Sequence, residues 1–230
     1  MKINVFNCSV KGASHERSGL PCQDSSCSFT GNNYYIIAVA DGHGDPKHDL
    51  SEIGAKIAVE SATYILRQLT DNITKQRDIS LSKMVKYDFP RLLLRRWRNL
   101  VENDFRQRII SGEKEFIYEE GSNLFSRYGT TLLAAIITET DIIYTQIGDG
   151  DIVLLRNDNT YEIFSFINQS LVGGETHSLS SNEAVRYFSC GTTNMAGIRG
   201  LFLSTDGLRN SYDNESAFIR LLSAIAEMVD

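Results

Sequence analysis

The sequence predicts an α+β fold in which two antiparallel sheets pack face to face and helices cover their outer faces. Three observations predict it. Short apolar segments with the period of strands follow one another, two long segments with helical spacing come after the second strand, and one amphipathic segment closes the chain. The 230 residues suffice for one large domain or two small ones, and no internal repeat is present. We therefore expect one domain over residues 1–230.

The first two predicted strands precede the helices. Residues 3–10 are rich in β-branched and aromatic side chains and end at Lys11-Gly12, which is typical of a strand. Residues 32–40 form a second apolar run that begins at a Gly31-Asn32-Asn33 turn and leads into Asp41. The chain therefore enters its predicted core twice before the first helix.

Helical spacing begins at Leu50 and continues to about Leu69, with apolar residues mostly three to four positions apart. A second helical stretch covers residues 80–110, and because proline is tolerated in a first turn, we expect a new helix to begin near Pro90. Six arginines share this stretch: Arg91, Arg95, Arg96, Arg98, Arg106 and Arg108. They indicate either a patch for nucleic acid or a phosphoprotein, or a solvated face with acids nearby.

Strand periodicity dominates the second half of the chain, after a charged connection at residues 111–129. Four successive strands are predicted at residues 130–138, 141–148, 151–157 and 160–166. Their short connections predict antiparallel neighbours. The remaining predicted elements are a polar loop at residues 170–184, strands at 185–191 and 197–208, and a closing helix at 215–229.

Composition and charge exclude several classes of function. A formal net charge of −6 disfavours nucleic acid and anionic membranes as partners, because both attract positive fields. The four cysteines form no C-x-x-C pair and favour free thiols in a reducing compartment. The N-terminus lacks the pattern of a secretory signal, and no run approaches the roughly 18 apolar residues of a membrane span. We therefore expect a cytoplasmic protein.

Acidic side chains accompany the ends of several predicted strands. Asp-Gly pairs end three of them, at Asp41, Asp149 and Asp206, and Asp24 follows the first strand. Carboxylates that gather at a sheet edge repel each other where water is excluded. Protonating one member would relieve this, but a divalent cation is the simpler solution, because hard oxygen ligands suit magnesium or manganese. Gly42 has no side chain, so its carbonyl could approach such an ion closely.

Four motifs occur in order along the chain: "VADGHGD", "YGTTLLAAII", "IGDGDIVLL" and "LFLSTDGLRNSY". They resemble the Asp-Gly-His-Gly, Gly-Thr-Thr, Gly-Asp-Ser-Arg and Ser-Thr-Asp-Gly-Leu motifs of the metal-dependent serine/threonine protein phosphatases of the 2C type, also called PPM-type phosphatases. The order and the separations of the four motifs fit those of the family along nearly the whole chain. The segment "SHERSGLPCQDSS" near the N-terminus is similar to sequences of the bacterial branch of that family.

The resemblance implies a four-layer α-β-β-α sandwich with a binuclear magnesium or manganese centre in a cleft at one edge. It implies a phosphoprotein phosphatase that hydrolyses phosphoserine and phosphothreonine by direct attack of a metal-activated water, without a covalent enzyme intermediate. The implied partners are phosphorylated proteins and a cognate serine/threonine kinase.

The resemblance also implies roles for individual residues. Asp41 would bridge the two ions, Gly42 would give its carbonyl to one of them, and Asp206 would ligate the other. Asp24 would hold a metal-bound water, and Asp149 matches a position linked to a third, weaker ion.

Two further roles concern the phosphate. His43 would be the general acid that protonates the leaving seryl or threonyl oxygen, a task that suits a side chain with a pKa near neutrality. Arg17 is the candidate for the phosphate-binding arginine, although its offset from Asp24 is longer than in the family.

The chain departs from the family pattern in ways that leave alternatives open. Gln23 stands where the family shows a glutamate, and a glutamine can orient a water but adds no charge. A final Asp-containing motif is missing after the closing helix, so either the sequence is truncated or one metal site lacks a ligand. The alternatives to an active phosphatase are a pseudophosphatase that binds phosphoproteins without turnover, and a metal hydrolase of small phosphate esters.

Overall fold

In the computed structural model, which describes residues 3–11, 21–73, 80–112, 123–164 and 176–229, eight strands form two antiparallel sheets. The larger sheet contains, in spatial order, β1 (Asp24–Thr30), β2 (Tyr34–Asp41), β3 (Leu132–Thr138), β4 (Asp141–Ile147) and β7 (Ser189–Asn194). The smaller sheet contains β6 (Tyr161–Phe164), β5 (Asp151–Arg156) and β8 (Ile198–Ser204).

The long helices follow the predicted order along the chain, whereas two short helices were not predicted. The helices are α1 (Ser51–Ile73), α2 (Leu81–Tyr87), α3 (Phe89–Ser111), α4 (Leu124–Arg127), α5 (Asp206–Asn210) and α6 (Glu215–Val229). The predicted break near Pro90 is confirmed, because Asp88 separates α2 from α3 and Pro90 lies in the first turn of α3. Within the described ranges, no helix combines the length and the apolar character that crossing a membrane requires.

Side chains of the larger sheet alternate between two cores, as the period of a strand dictates. Ile36 of β2 and Ala134 of β3 pack with α1 and α3, whereas Leu133 and Ala135 of β3 face the smaller sheet. On the far face of the smaller sheet, Val153 packs against α6. The layers are therefore α-β-β-α, and the predicted fold class is confirmed.

The prediction of a first strand at residues 3–10 is wrong, because residues 3–11 form no strand and β1 lies at Asp24–Thr30. Phe6 and Val10 are 73% and 75% exposed, so these strand-like side chains are not buried in a sheet. β1 is an edge strand with half-buried side chains, and its sequence DSSCSFT shows no apolar alternation. Asp24 consequently begins the first strand instead of following it.

The prediction that β4 and β5 are antiparallel neighbours is also wrong. β4 pairs with β3 and β7, whereas β5 pairs with β6 and β8, so residues 148–150 lead the chain from one sheet to the other. Gly148 has a φ of 110°, and a Cβ at Gly150 would lie 2.5 Å from the carbonyl oxygen of Ser204. Both positions therefore require glycine, and the change of sheet places Asp149 at the edge where the two sheets meet.

The strand predicted at residues 185–191 is shifted in the structure. Residues Ala184–Tyr187 form a 3-10 turn, and β7 begins only at Ser189. The strand at 197–208 ends as β8 at Ser204, after which the Asp-Gly pair opens α5. Only part of the polar loop at 170–184 and of the strand at 160–166 lies within the described residues.

Candidate active site

Four predicted carboxylates lie together at one end of the sandwich. Asp24 and Asp41 face each other as the last residue pair of the β1–β2 ladder. Several causes together raise the pKa of Asp41 to about 8: burial is the largest, followed by the negative charges of Asp24 and Asp206, a hydrogen bond with Asp206 and the charge of Asp149. The structure thus brings Asp24, Asp149 and Asp206 around Asp41.

Asp206 is held in place by the short helix α5, which begins at this residue. Asn210 donates from Nδ2 to Oδ2 of Asp206 at 3.0 Å. Arg209 donates from Nη1 to Oδ1 of Asp151 at 2.8 Å, and the Asp151 side chain is only 4% exposed. Because Asp151 begins β5, this ion pair fixes α5, and with it Asp206, to the smaller sheet.

The loop after β2 is packed too closely for any side chain at Gly42. A Cβ there would lie 2.8 Å from the main chain of Ser51 and 2.9 Å from the carbonyl oxygen of Gln23. The Gly42 amide donates to that same Gln23 carbonyl at 3.2 Å. The carbonyl of Asp41 accepts from the amide of Thr131 at 2.9 Å, so the main chain of residues 41–42 is held from two sides.

Gln23 lies beneath this loop and is 8% exposed. Its Nε2 donates to the carbonyl oxygen of His43 at 3.1 Å and to Oγ of Ser51 at 2.7 Å. Both contacts use the amide nitrogen, which a glutamate lacks. The departure from the family pattern at Gln23 therefore has a local function, because this side chain supports the backbone of the loop.

His43 projects from the loop next to a second histidine, His48, with 4.9 Å between the ring centroids. Burial, the positive charge of His48 and, more weakly, that of Lys47 lower the pKa of His43 to about 4, against the opposing effect of the Asp149 charge. His43 is therefore neutral at pH 7 in this structure. The main-chain amide of His43 donates to the carbonyl of Gly129 at 3.1 Å.

His48 and Thr176 are site residues that the sequence did not indicate. His48 is buried and donates from Nδ1 to the carbonyl oxygen of Ser126, since a carbonyl can only accept. Thr176 donates from Oγ1 to Oδ2 of Asp149 at 2.6 Å. Neither residue belongs to a motif, and a single histidine or threonine is most often structural, so only the tertiary contacts reveal them. The predicted phosphate-binding residue Arg17 lies outside the described residues.

The chemistry of the cluster around Asp41 fits a hard divalent cation. All four side chains are oxygen donors, and burial together with the negative charges of the other three raises the pKa of Asp41. In the described part of the chain, however, no three His, Cys, Asp or Glu side chains form a group that could hold a metal ion as they stand. Magnesium commonly retains several waters and takes only one or two carboxylates, so water is expected to complete a coordination shell here.

The match to a family model places the chain in the class of phosphoprotein phosphatases. The chain belongs to the protein phosphatase 2C family, whose model matches residues 11–230. Members of this family are metal-dependent and act on phosphorylated proteins. No curated protein sequence matches the chain significantly.

Solved structures of bacterial phosphatases have a similar fold. A bacterial serine phosphatase matches with a TM-score of 0.57 and 16% identity, over 87% of this chain and 78% of that one. Stp1 from Staphylococcus aureus matches with a TM-score of 0.55 and 12% identity, over 89% and 82%. The S. agalactiae serine/threonine phosphatase matches with a TM-score of 0.51 and 18% identity, over 91% and 81%. At these identities the likeness concerns the fold.

Proposed function

We propose that this chain is a catalytically active serine/threonine protein phosphatase with a binuclear magnesium or manganese centre. It would hydrolyse phosphoserine and phosphothreonine in proteins by direct attack of water. The observation that supports this most is the gathering of Asp24, Asp149 and Asp206 around Asp41, where burial and these neighbours together raise the pKa of Asp41 to about 8. A carboxylate under such repulsion gains most from a nearby cation.

The proposed metal ligands keep the roles that the resemblance implies. Asp41 would hold both ions, the carbonyl of Gly42 would help to hold one, and Asp206 would help to hold the other. Asp24 would hold a water by hydrogen bonding, and Asp149 would serve a third, weaker site. Bound divalent ions supply two effects, since they lower the pKa of water and neutralise phosphoryl oxygens.

His43 is the proposed general acid for the leaving seryl or threonyl oxygen. It is neutral at pH 7 in this structure, because its pKa is lowered to about 4. A phosphoryl dianion beside the ring would raise that pKa, since an opposite charge favours the protonated form. His43 would therefore gain its proton together with the substrate and release it to the leaving oxygen. Arg17 remains the proposed phosphate-binding residue.

A pseudophosphatase is the second candidate, and two observations favour it. No three metal-ligating side chains of the described residues are arranged to hold an ion as they stand, and His43 is held neutral. A module that binds phosphoproteins without turnover needs neither a complete metal shell nor a protonated acid. Binding and turnover must therefore be measured separately.

The decisive experiment measures manganese-dependent hydrolysis of a phosphothreonine peptide and of p-nitrophenyl phosphate. Asp41→Asn should lower turnover by about 100-fold or more, since it removes the proposed bridging ligand. Asp158→Asn is the matched control, because Asp158 occupies the β5–β6 turn, where it accepts only from Thr160 among the described residues. Absent turnover with retained phosphopeptide binding would favour the pseudophosphatase, and turnover of the small ester alone would favour a small-ester hydrolase.

We further propose the biological setting that the sequence indicated. Residues 1–230 would act as one phosphatase domain in the cytoplasm, opposite a serine/threonine kinase. The free thiols of Cys22, Cys27 and Cys190 suit a reducing compartment. Mass spectrometry of phosphopeptides after deletion of the protein would identify substrates and, through their sequence context, the kinase.

A further inference from the structure

The arginines of α3 divide into two groups in the structure. Four of the six are engaged by nearby groups, and two of these four are paired with acids, as the prediction of a solvated face with acids nearby requires. Arg96 lies over the ring of Tyr64 at 3.9 Å, Arg98 donates to the carbonyl of Ser181 at 3.0 Å, Arg106 pairs with Glu102 at 3.7 Å, and Arg108 pairs with Asp104 at 2.7 Å. Arg91 and Arg95 are exposed and have no ion pair or hydrogen bond within the described residues.

Arg91 and Arg95 line a groove of about 400 Å³ between α3 and the turn at residues 181–185. Its other polar lining residues are Arg98, Asn99, Glu102 and Asn182. We call this the basic groove. The side chain of Arg98 is held in place within it, because its guanidinium donates to the carbonyl of Ser181 and lies 5.2 Å from the ring centroid of Phe125. Glu102 is already paired with Arg106, which weakens its effect on the three guanidinium groups.

The charge and the spacing of the basic groove both favour an extended acidic peptide. Three cations gather here although the chain carries a net charge of −6. Arg91, Arg95 and Arg98 are four and three residues apart on one helix face, which corresponds to rises of about 6 and 4.5 Å. Alternate side chains of an extended peptide lie about 6.6–7 Å apart on the same side, close to the rise of about 6 Å from Arg91 to Arg95, so acidic residues at alternate positions can face these two arginines.

The small number of positive charges in the basic groove disfavours a nucleic acid as the occupant. Three guanidinium groups neutralise few phosphates, and affinity for nucleic acid grows with the number of phosphates neutralised. The negative charge of the rest of the protein opposes a long polyanion, whereas a short peptide meets only the groove. Asn99 and Asn182 present amides that both donate to and accept from a peptide backbone.

One chain segment runs from the candidate active site to the basic groove. Its 181–185 turn continues from residues 176–180, in which Leu179 donates to the carbonyl of Thr130 at 2.9 Å. Thr176 in the same segment donates to Asp149 at 2.6 Å. One polypeptide segment thus contacts the acid cluster at one end and lines the basic groove at the other.

We propose that the basic groove binds an acidic, extended segment of the phosphoprotein substrate, away from the phosphorylated residue. This inference rests on the proposed phosphatase function for its occupant. The groove would add affinity for proteins that carry acidic residues at alternate positions, without taking part in hydrolysis.

The test uses a fluorescent peptide without phosphate in which glutamate alternates with neutral residues. Fluorescence anisotropy should detect its binding to the wild-type protein, and the double variant Arg91→Gln/Arg95→Gln should weaken binding about tenfold, since two charge pairs are lost. Lys56→Gln/Arg220→Gln is the matched control, because it removes two exposed positive charges on helices, at positions that do not line the groove. Glutamine keeps helix propensity, so both proteins should remain folded by circular dichroism.

Turnover supplies the second measurement. The double variant should raise KM for a phosphothreonine peptide with an acidic extension, and should leave hydrolysis of p-nitrophenyl phosphate unchanged. Equal peptide binding by the wild-type and double-variant proteins, or tighter groove-dependent binding of a single-stranded oligonucleotide, would overturn the proposal. Binding of the phosphate-free peptide tests the basic groove even if the protein shows no phosphatase activity. A failure of the groove proposal can therefore be distinguished from a failure of the proposed phosphatase function.

Discussion

The side-chain amide of Gln23 donates a hydrogen bond of 3.1 Å to the main-chain carbonyl of His43. Gln23 precedes β1 and His43 follows β2, so one contact ties together the two chain segments that carry Asp24 and Asp41. The geometry of the loop therefore depends on an uncharged donor at position 23. The contact explains why this chain has a glutamine where the family resemblance predicts a glutamate.

Gln23→Glu should destabilise the protein by about 1–3 kcal/mol, because a carboxylate oxygen would face the carbonyl of His43 and leave it without a donor. Urea unfolding of the metal-free protein measures this change. Gln68→Glu makes the same chemical change at an exposed position of α1 and should alter stability by less than about 0.5 kcal/mol. Equal stability of the two variants would contradict the supporting role of Gln23.

The stability of the metal-free protein should fall as pH rises, because of Asp41. Its pKa is raised from 3.8 to about 8 by burial and by the neighbouring carboxylates. A carboxyl group with a raised pKa in the folded state contributes stability that is fully present below its unfolded pKa and is lost as pH rises through the folded pKa. The fall should therefore extend from about pH 4 to pH 8.

Urea unfolding in the presence of a chelator, at several pH values in that window, measures the effect. Asp41→Asn should flatten the dependence, since asparagine does not titrate. Added manganese should also flatten it in the wild-type protein, because a bound cation stabilises the charged carboxylate. If the stability of Asp41→Asn still fell steeply with rising pH, another titrating group would be the cause.

Gly54→Ala should unfold or strongly destabilise the protein, by about 3 kcal/mol or more. A Cβ at Gly54 would lie 2.0 Å from the carbonyl oxygen of Tyr128, and both are backbone positions that cannot rotate away. The carbonyl of Gly54 also accepts from Nε1 of the buried Trp97 at 3.0 Å. Thermal unfolding measures the stability of Gly54→Ala against that of Gly207→Ala. At Gly207 nothing lies within 4 Å of the new methyl group, so little change in stability is expected.

Arg209→Met should destabilise the protein by about 2–4 kcal/mol, because it removes the 2.8 Å ion pair with the nearly buried carboxylate of Asp151 and the 3.1 Å pair with Glu215. The exposed part of Arg209 keeps the loss below that of a fully buried pair. The double variant Arg209→Met/Asp151→Asn should recover part of this loss, since the negative charge that Arg209 neutralises is also removed. A double-mutant cycle by urea unfolding measures the coupling, and additive effects would contradict it.

Local periodicity in the sequence predicted the long helices and most strands correctly. The closing helix was predicted at 215–229 and lies at Glu215–Val229, and the β3–β4 hairpin falls at its predicted turn. These elements bury one face, so their apolar residues recur at the period of a helix or strand. β1 could not be found this way, because an edge strand with half-buried side chains has no such signal.

The sequence by itself determined the residue types of the site and their attachment to strand ends, at Asp41, His43 and Asp206. Only the tertiary structure decided that Asp24 faces Asp41 across a strand pair, that Gln23 supports His43, and that β4 and β5 belong to different sheets. The physical reason is that local periodicity reports burial of each segment, whereas these contacts join residues far apart in the chain. Their distances are set by sheet pairing and packing, which no single segment encodes.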